Sequence, residues 1–328
     1  MRTPIRLGAY TLGLAAVFAA SLGLGHVAGP ETAAPAAHSA AGGHQDAAPH
    51  EQAAGSVAAV PAGLQVAQDG YRLEPISTTL STAAPQPLQF RVLGPDGVPV
   101  TRYTTSHDKD LHLIVVRRDL SGFQHLHPQL AADGTWSAPL AVPAPGQYRV
   151  FADFQPAGRA EGLTLGADVP APGDYQPRPL PAQGRTATVD GYTVTLAGDL
   201  LPASSSKLTL SVSRDGAPVT DLQPYLGAYG HLVALRDGDL AYLHVHPDGA
   251  PGDGRTPSGP QVTFHAEVPS AGSYRLYLDF QHDGVVRTAE FTAIAGAATA
   301  PATPAAEATP SAAASSPDGH DEPGHTHG

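Results

Sequence analysis

The strongest constraint on this chain is that it repeats itself. The segment "QDGY" at Gln68–Tyr71 returns as "VDGY" at Val189–Tyr192, and "DGVPVT" at Asp96–Thr101 returns as "DGAPVT" at Asp215–Thr220. "LHLIVV" at Leu111–Val116 returns as "GHLVAL" at Gly230–Leu235, and "FQHLHP" at Phe123–Pro128 returns as "YLHVHP" at Tyr242–Pro247. Last, "PGQYRVFADFQ" at Pro145–Gln155 matches "AGSYRLYLDFQ" at Ala271–Gln281. Order and nearly all spacing are kept. A repeat of this size is a whole domain rather than a solenoid unit, so whatever fold one copy takes, the chain holds it twice.

Each copy reads as all-β. The segments "LQFRVL", "LHLIVVRRDL", "TWSAPLAV" and "YRVFADF" are short and rich in Val, Leu, Phe and Tyr, and turn sequences such as "GPDG", "AADG" and "PAPG" separate them. The second copy answers with "KLTLSVS", "HLVALRD", "VTFHAEV" and "YRLYLDF". Outside the N-terminus no stretch keeps a 3.6-residue apolar period. About a hundred residues carrying roughly seven short strands fit an immunoglobulin-like sandwich, and Pro-x-x-Gly-x-Tyr-Arg before the last long strand is the kind of corner such sandwiches use. The expected architecture is two immunoglobulin-like β-sandwiches in tandem, over 64–169 and 188–295. Tyr148, Phe154, Tyr274, Phe280 and Trp136 are expected in the cores.

The flanks have another character. Arg2 and Arg6 precede an uncharged apolar run, Leu7–Gly25, which marks 1–29 as a signal peptide or signal-anchor and places the rest of the chain outside the cytoplasm, secreted or membrane-anchored. Residues 30–63 are rich in Ala, Pro and His without periodicity, as are 296–328, which end "DGHDEPGHTHG"; both read as disordered tails. A Pro-rich linker, 170–187, separates the repeats.

Composition removes whole classes of chemistry. A formal charge of −12 argues against nucleic acid as a partner. With no Cys and a single Met, there is no disulfide, thiolate nucleophile or sulfur-ligated metal site, and soft-ligand chemistry falls to 16 His. His125 and His127 lie two apart, as do His244 and His246; residues so spaced on a strand share a face, a bidentate arrangement suited to Zn²⁺ or Cu²⁺. His112 and His231, each opening the strand before its pair, are candidate third ligands. Asp153 and Asp279 are the repeated carboxylates, candidate ligands or acceptors that orient a ring N–H. His107 and His265 occur in one copy each and would make the two sites unequal. The same residues also admit a purely structural reading, in which repeated His–Asp pairs stabilise a corner in both domains. In the tails, His38, His44, His50, His320, His325 and His327 suit weak, adaptable metal capture.

The run "H…LHLIVVRRDLSGFQHLHP…GTW…PGQYRVFADFQPAG", from His107 to Gly158, resembles bacterial exported or membrane-anchored β-sandwich proteins. The resemblance implies a link to heavy-metal, particularly copper, handling; it covers the second copy more thinly, which lacks a counterpart to His107. Enzyme readings find little support. No GxSxG elbow is present, no nearby Glu follows the His pairs as a cupin would need, and a copper–zinc dismutase would need a disulfide. Two function classes are left, neither catalytic: an extracytoplasmic Cu or Zn protein serving buffering, delivery or resistance, with the N-terminal segment as membrane tie if uncleaved, or a surface adhesion or interaction module, its protein partner unidentified, whose repeated histidines are structural.

Overall fold

Alternation of apolar and polar residues sets most strands of the chain. The computed structural model describes residues 60–296, all within one compact unit. The expectations for the N-terminal apolar run, most of the following tether and the His-rich tail lie outside the described residues. The first repeat contains β1 (Ala67–Gln68), β2 (Tyr71–Pro75), β3 (Gln86–Leu93), β4 (Leu111–Arg117), β5 (Gln124–Leu126), β6 (Gln129–Leu130), β7 (Thr135–Leu140), β8 (Gly146–Phe154) and β9 (Leu163–Ala171). The second contains β10 (Thr186–Val189), β11 (Tyr192–Ala197), β12 (Ser204–Arg214), β13 (Ala217–Pro218), β14 (His231–Arg236), β15 (Val245–Pro247), β16 (Gln261–Val268), β17 (Gly272–His282) and β18 (Val285–Ala295). No helix among the described residues is long and apolar enough to cross a membrane.

The strands form two sandwiches. In the first, sheet β1-β2-β3-β7-β6 faces sheet β5-β4-β8-β9; in the second, β10-β11-β12-β16-β15, with β13 beside β12, faces β14-β17-β18. Phe90, Trp136, Tyr148 and Phe154 fill the first core, and Tyr192, Phe264, Tyr274 and Phe280 the second. The tyrosines of the repeated corner are fixed alike: the Tyr148 hydroxyl donates to the Ala144 carbonyl and that of Tyr274 to the Ser270 carbonyl, both at 2.8 Å. The glycines that open the two long strands take φ +146 at Gly146 and +145 at Gly272, a region L side chains rarely enter.

One strand pair per sandwich departs from simple alternation, and this sets the architecture. Leu111, Leu113 and Val115 of β4 point into the first sandwich, yet Ile114 and Val116 between them are equally buried, so the strand is covered on both faces. The cover is the other repeat. Ile114, Val116, Leu120 and Phe151 pack with Val233, Leu235, Leu240, Tyr242 and Tyr277 into a third core between the sandwiches. The packing follows a local two-fold. Phe123 stacks on Tyr277 at 3.9 Å, and their repeat counterparts, Tyr242 and Phe151, meet at 5.6 Å. The Tyr277 hydroxyl also donates to the Leu120 carbonyl at 2.6 Å. Equivalent patches of the two copies therefore bind each other as in an isologous dimer, within one chain.

The chain enters at the edge of this seam. Ala62 accepts from the Tyr242 amide at 2.9 Å, and Gly63 donates to the Thr164 carbonyl at 2.9 Å while its own carbonyl accepts from Arg149. Order thus begins before residue 64. The segment expected as linker contains no strand between β9 and β10, although its Leu180 packs on the third core.

Candidate metal centre between the repeats

His112 is the second residue of β4 and points away from the first core, toward the seam. Strand β5 pairs with β4 through Leu113↔Leu126 and Ile114↔His125, so Leu126 packs on the core and His125 turns the other way. His127, two residues on, lies on the same side, its ring 4.9 Å from that of His125. His112, His125 and His127 each offer a nitrogen, all within 4.8 Å of one another. Each gathering force is local: strand pairing brings β5 to β4, and two-residue periodicity selects the histidines for one face.

The hydrogen bonds around the triad define where its lone pairs point. His125 Nδ1 lies 2.8 Å from Asp279 Oδ2, and the other carboxylate oxygen accepts from the Thr288 hydroxyl at 2.6 Å. Asp279 belongs to the second repeat. His112 Nε2 lies 3.1 Å from the Ser106 carbonyl oxygen. A carboxylate and a carbonyl only accept, so each of these ring nitrogens carries the hydrogen. In neutral rings the remaining nitrogens, His112 Nδ1 and His125 Nε2, would both be acceptors, and they face each other at 3.1 Å. A second proton on one ring or a metal ion would each satisfy that contact. Bonds of about 2 Å to Zn²⁺ place neighbouring ligand nitrogens roughly 3.0–3.4 Å apart. His127 Nε2 is buried with no hydrogen-bond partner.

Burial disfavours a charge on two of the rings. Burial first, then the neighbouring His125, pushes His112 down to about 4. The same two causes, in the same order, push His127 down to about 3. Neutral imidazole is the metal-binding form. Asp279 and the Ser106 carbonyl behave as the outer partners that fix tautomer and ring orientation in such sites.

The second repeat does not build a copy of this triad. His231, on β14, is the counterpart of His112; its ring stacks on that of His112 at 5.3 Å and lies 4.8 Å from His125, so it joins the first copy's cluster. Its Nδ1 is buried without a partner, and burial holds the ring well below the usual imidazole range. His107 covers the group, 6.0 Å from His112 and 5.6 Å from His231. His244 and His246 go elsewhere. In the first repeat the chain stays beside β4 through Leu126 before pairing with β7. In the second, the Leu243 amide donates to Ala234 on β14, and by Val245 the strand already pairs with β16. The parity of the side chains is unchanged, but the sheet is not, so His244 and His246 face solvent, 4.0 Å apart, with His246 opposite His265. Asp153 sits opposite His112 on β8 and accepts from the Thr164 hydroxyl at 3.1 Å; it is not among the triad's partners, and burial pushes its carboxyl up. Its counterpart Asp279 holds the His125 ring instead. Sequence reasoning passed over Ser106, which acts through a backbone carbonyl that no side-chain pattern marks. It also passed over Thr288 and Thr164, whose cross-strand positions opposite Asp279 and Asp153 are a signal visible in the repeat.

The chain matches the family described as a domain of unknown function, DUF8832, at residues 65–175 and again at 187–297. No curated protein matches it significantly. Among solved structures it resembles invasin, a bacterial integrin-binding protein, at 14% identity and TM-score 0.21, over 70% of this chain and 40% of that one. A membrane-anchored protein from Corynebacterium diphtheriae resembles it at 12% identity and TM-score 0.20, over 70% of this chain and 59% of that one. The D0–D1 domain of intimin does so at 11% identity and TM-score 0.20, over 67% and 96%. The two family matches coincide with the two sandwiches, and the chain is a tandem, two-copy member of the DUF8832 family.

Proposed function

We propose that this protein is a non-catalytic, extracytoplasmic metal-binding protein that buffers or delivers Zn²⁺ or Cu²⁺ through His112, His125 and His127, with Asp279 of the other repeat orienting His125. One observation carries this reading: two imidazole nitrogens face each other at 3.1 Å, each ring fixed from behind by an acceptor, with a third, unpartnered nitrogen beside them. The extracytoplasmic setting rests on the apolar run behind Arg2 and Arg6.

A second reading has its own support. A proton is also a cation. His125 protonated beside the buried Asp279 carboxylate would close the 3.1 Å contact without any metal, and the protein would be a surface adhesion or interaction module of the kind its structural neighbours represent. That leaves the nitrogens of His127 and His231 idle, which favours the metal.

Thermal unfolding of the full chain with Zn²⁺, with Cu²⁺ and with chelator separates the two. Metal at a hundredfold excess over its dissociation constant adds about 2.7 kcal/mol to a site that exists only when folded. The gain is expected to vanish in His125→Ala/His127→Ala, and Asp279→Asn is expected to weaken binding about 10- to 100-fold. A melting temperature indifferent to metal and chelator would leave the adhesion reading.

A further inference from the structure

The second repeat's histidine pair takes no part in the triad, yet a single cavity touches both. The cavity measures about 150 Å³, room for several water molecules. Part of its wall is His112, a triad member only 4% exposed, with His231 beside it. Another part is His244 and His246, both solvent-exposed. The cavity therefore runs from the rim of the second repeat to the edge of the buried site. Its two ends differ in what they offer a cation. At the rim, the His244 and His246 rings lie 4.0 Å apart, and two imidazoles leave the other coordination positions of a divalent first-row ion to water. At the inner end, three imidazoles gather their nitrogens within 4.8 Å. His231 stands on the inner wall, its ring 4.8 Å from that of His125 and its Nδ1 buried without a partner.

We propose that His244 and His246 are the entry port of the triad: they capture a hydrated divalent cation at the rim and pass it through the cavity to His112, His125 and His127. The port rests on the metal reading of the triad. The ion moves by ligand exchange, one metal–water or metal–nitrogen bond breaking as another forms, with no change in oxidation state. The second His-x-His-Pro thus has a use although it builds no triad of its own.

The test is the rate at which the full chain depletes free Zn²⁺, followed with a fluorescent zinc indicator in a stopped-flow instrument. His26, His38, His44, His50, His320, His325 and His327 are first changed to Ala, so that the tails take no part. In His244→Ala/His246→Ala, uptake and release are both expected to slow about 10-fold, with the dissociation constant and stoichiometry unchanged. Both residues are exposed, so folding is not at stake. His265→Ala removes a histidine that lies opposite His246 but does not line the cavity, and is expected to keep the parent rate. No zinc taken up by the parent chain would overturn the triad and the port with it. Zinc bound at an unchanged rate in the double variant would overturn the port alone. So would a weakened dissociation constant, which would make the pair ligands of the resting site, and so would equal slowing in His265→Ala, which would make any nearby histidine a collector.

Discussion

At the scale of single residues, the same pattern copied by duplication does different work according to burial. Arg117 and Asp119 form an ion pair almost wholly out of solvent, their side chains 3% and 5% exposed, and the Arg178 amide and Ser121 hydroxyl also donate to the carboxylate. The counterpart, Arg236 with Asp239, is 18% and 41% exposed. Removing one partner of a buried pair strands the other, so Asp119→Asn is expected to cost about 3 kcal/mol. Asp239→Asn is expected to cost under about 1 kcal/mol. Burial pushes the Asp119 carboxyl up, but the Arg117, Arg178 and Ser121 donors outweigh it and leave it below its usual 3.8. A carboxylate depressed in the folded state contributes stability above its unfolded pKa and loses it as pH falls through the folded value. Urea denaturation should therefore show a constant gap between the parent and Asp119→Asn from pH 7 to about 5, closing only below about pH 4. A gap that closes nearer neutrality would mean that the pair is not what holds this corner.

At the scale of elements, much was legible and one thing was not. Apolar alternation and turn residues give the strands, and the two-residue period puts His125 and His127 on one side of β5. The corner is legible too, since Pro-x-x-Gly-x-Tyr-Arg recurs with the same Tyr-to-carbonyl bond. Tyr148→Phe and Tyr274→Phe are each expected to cost about 1 kcal/mol in denaturant melts, each leaving a carbonyl without its donor; a loss confined to one repeat would show that the corners are not equivalent. What the pattern hides is the residue at which a strand changes sheets. "QHLHP" and "LHVHP" differ little, yet Leu243 is buried in the second core where Gln124 instead reaches the Ala141 carbonyl, and the crossing comes earlier in the second repeat. Pairing partners, which sequence does not display, decide that His244 and His246 leave the seam.

At the scale of the molecule, the sequence did carry a signal of the seam. "LHLIVV" is an unbroken apolar run save for His112, whereas a sandwich strand with one wet face alternates; such a run needs cover on both sides. The partner that supplies the cover, and the composite site this creates, follow from three-dimensional packing alone. Because Ile114, Phe151, Tyr242 and Tyr277 join the two sandwiches through a common core, calorimetry of the full chain is expected to show one cooperative transition. Tyr277→Ala, which removes the stack on Phe123 and the bond to Leu120, is expected to cost about 3–5 kcal/mol and to split the transition in two. Two transitions in the parent chain would mean that the third core does not couple the repeats.

The place where the chain enters has a mechanical consequence. Ala62 is tied to Tyr242 of the second repeat, and Gly63, the next residue, to Thr164 and Arg149 of the first. Tension drawn through the preceding segment is therefore delivered to both sandwiches at once, at the rim of the seam, instead of to the outer end of one of them. A pull there loads the Arg149 side chain of the first repeat and the Tyr242 amide of the second together.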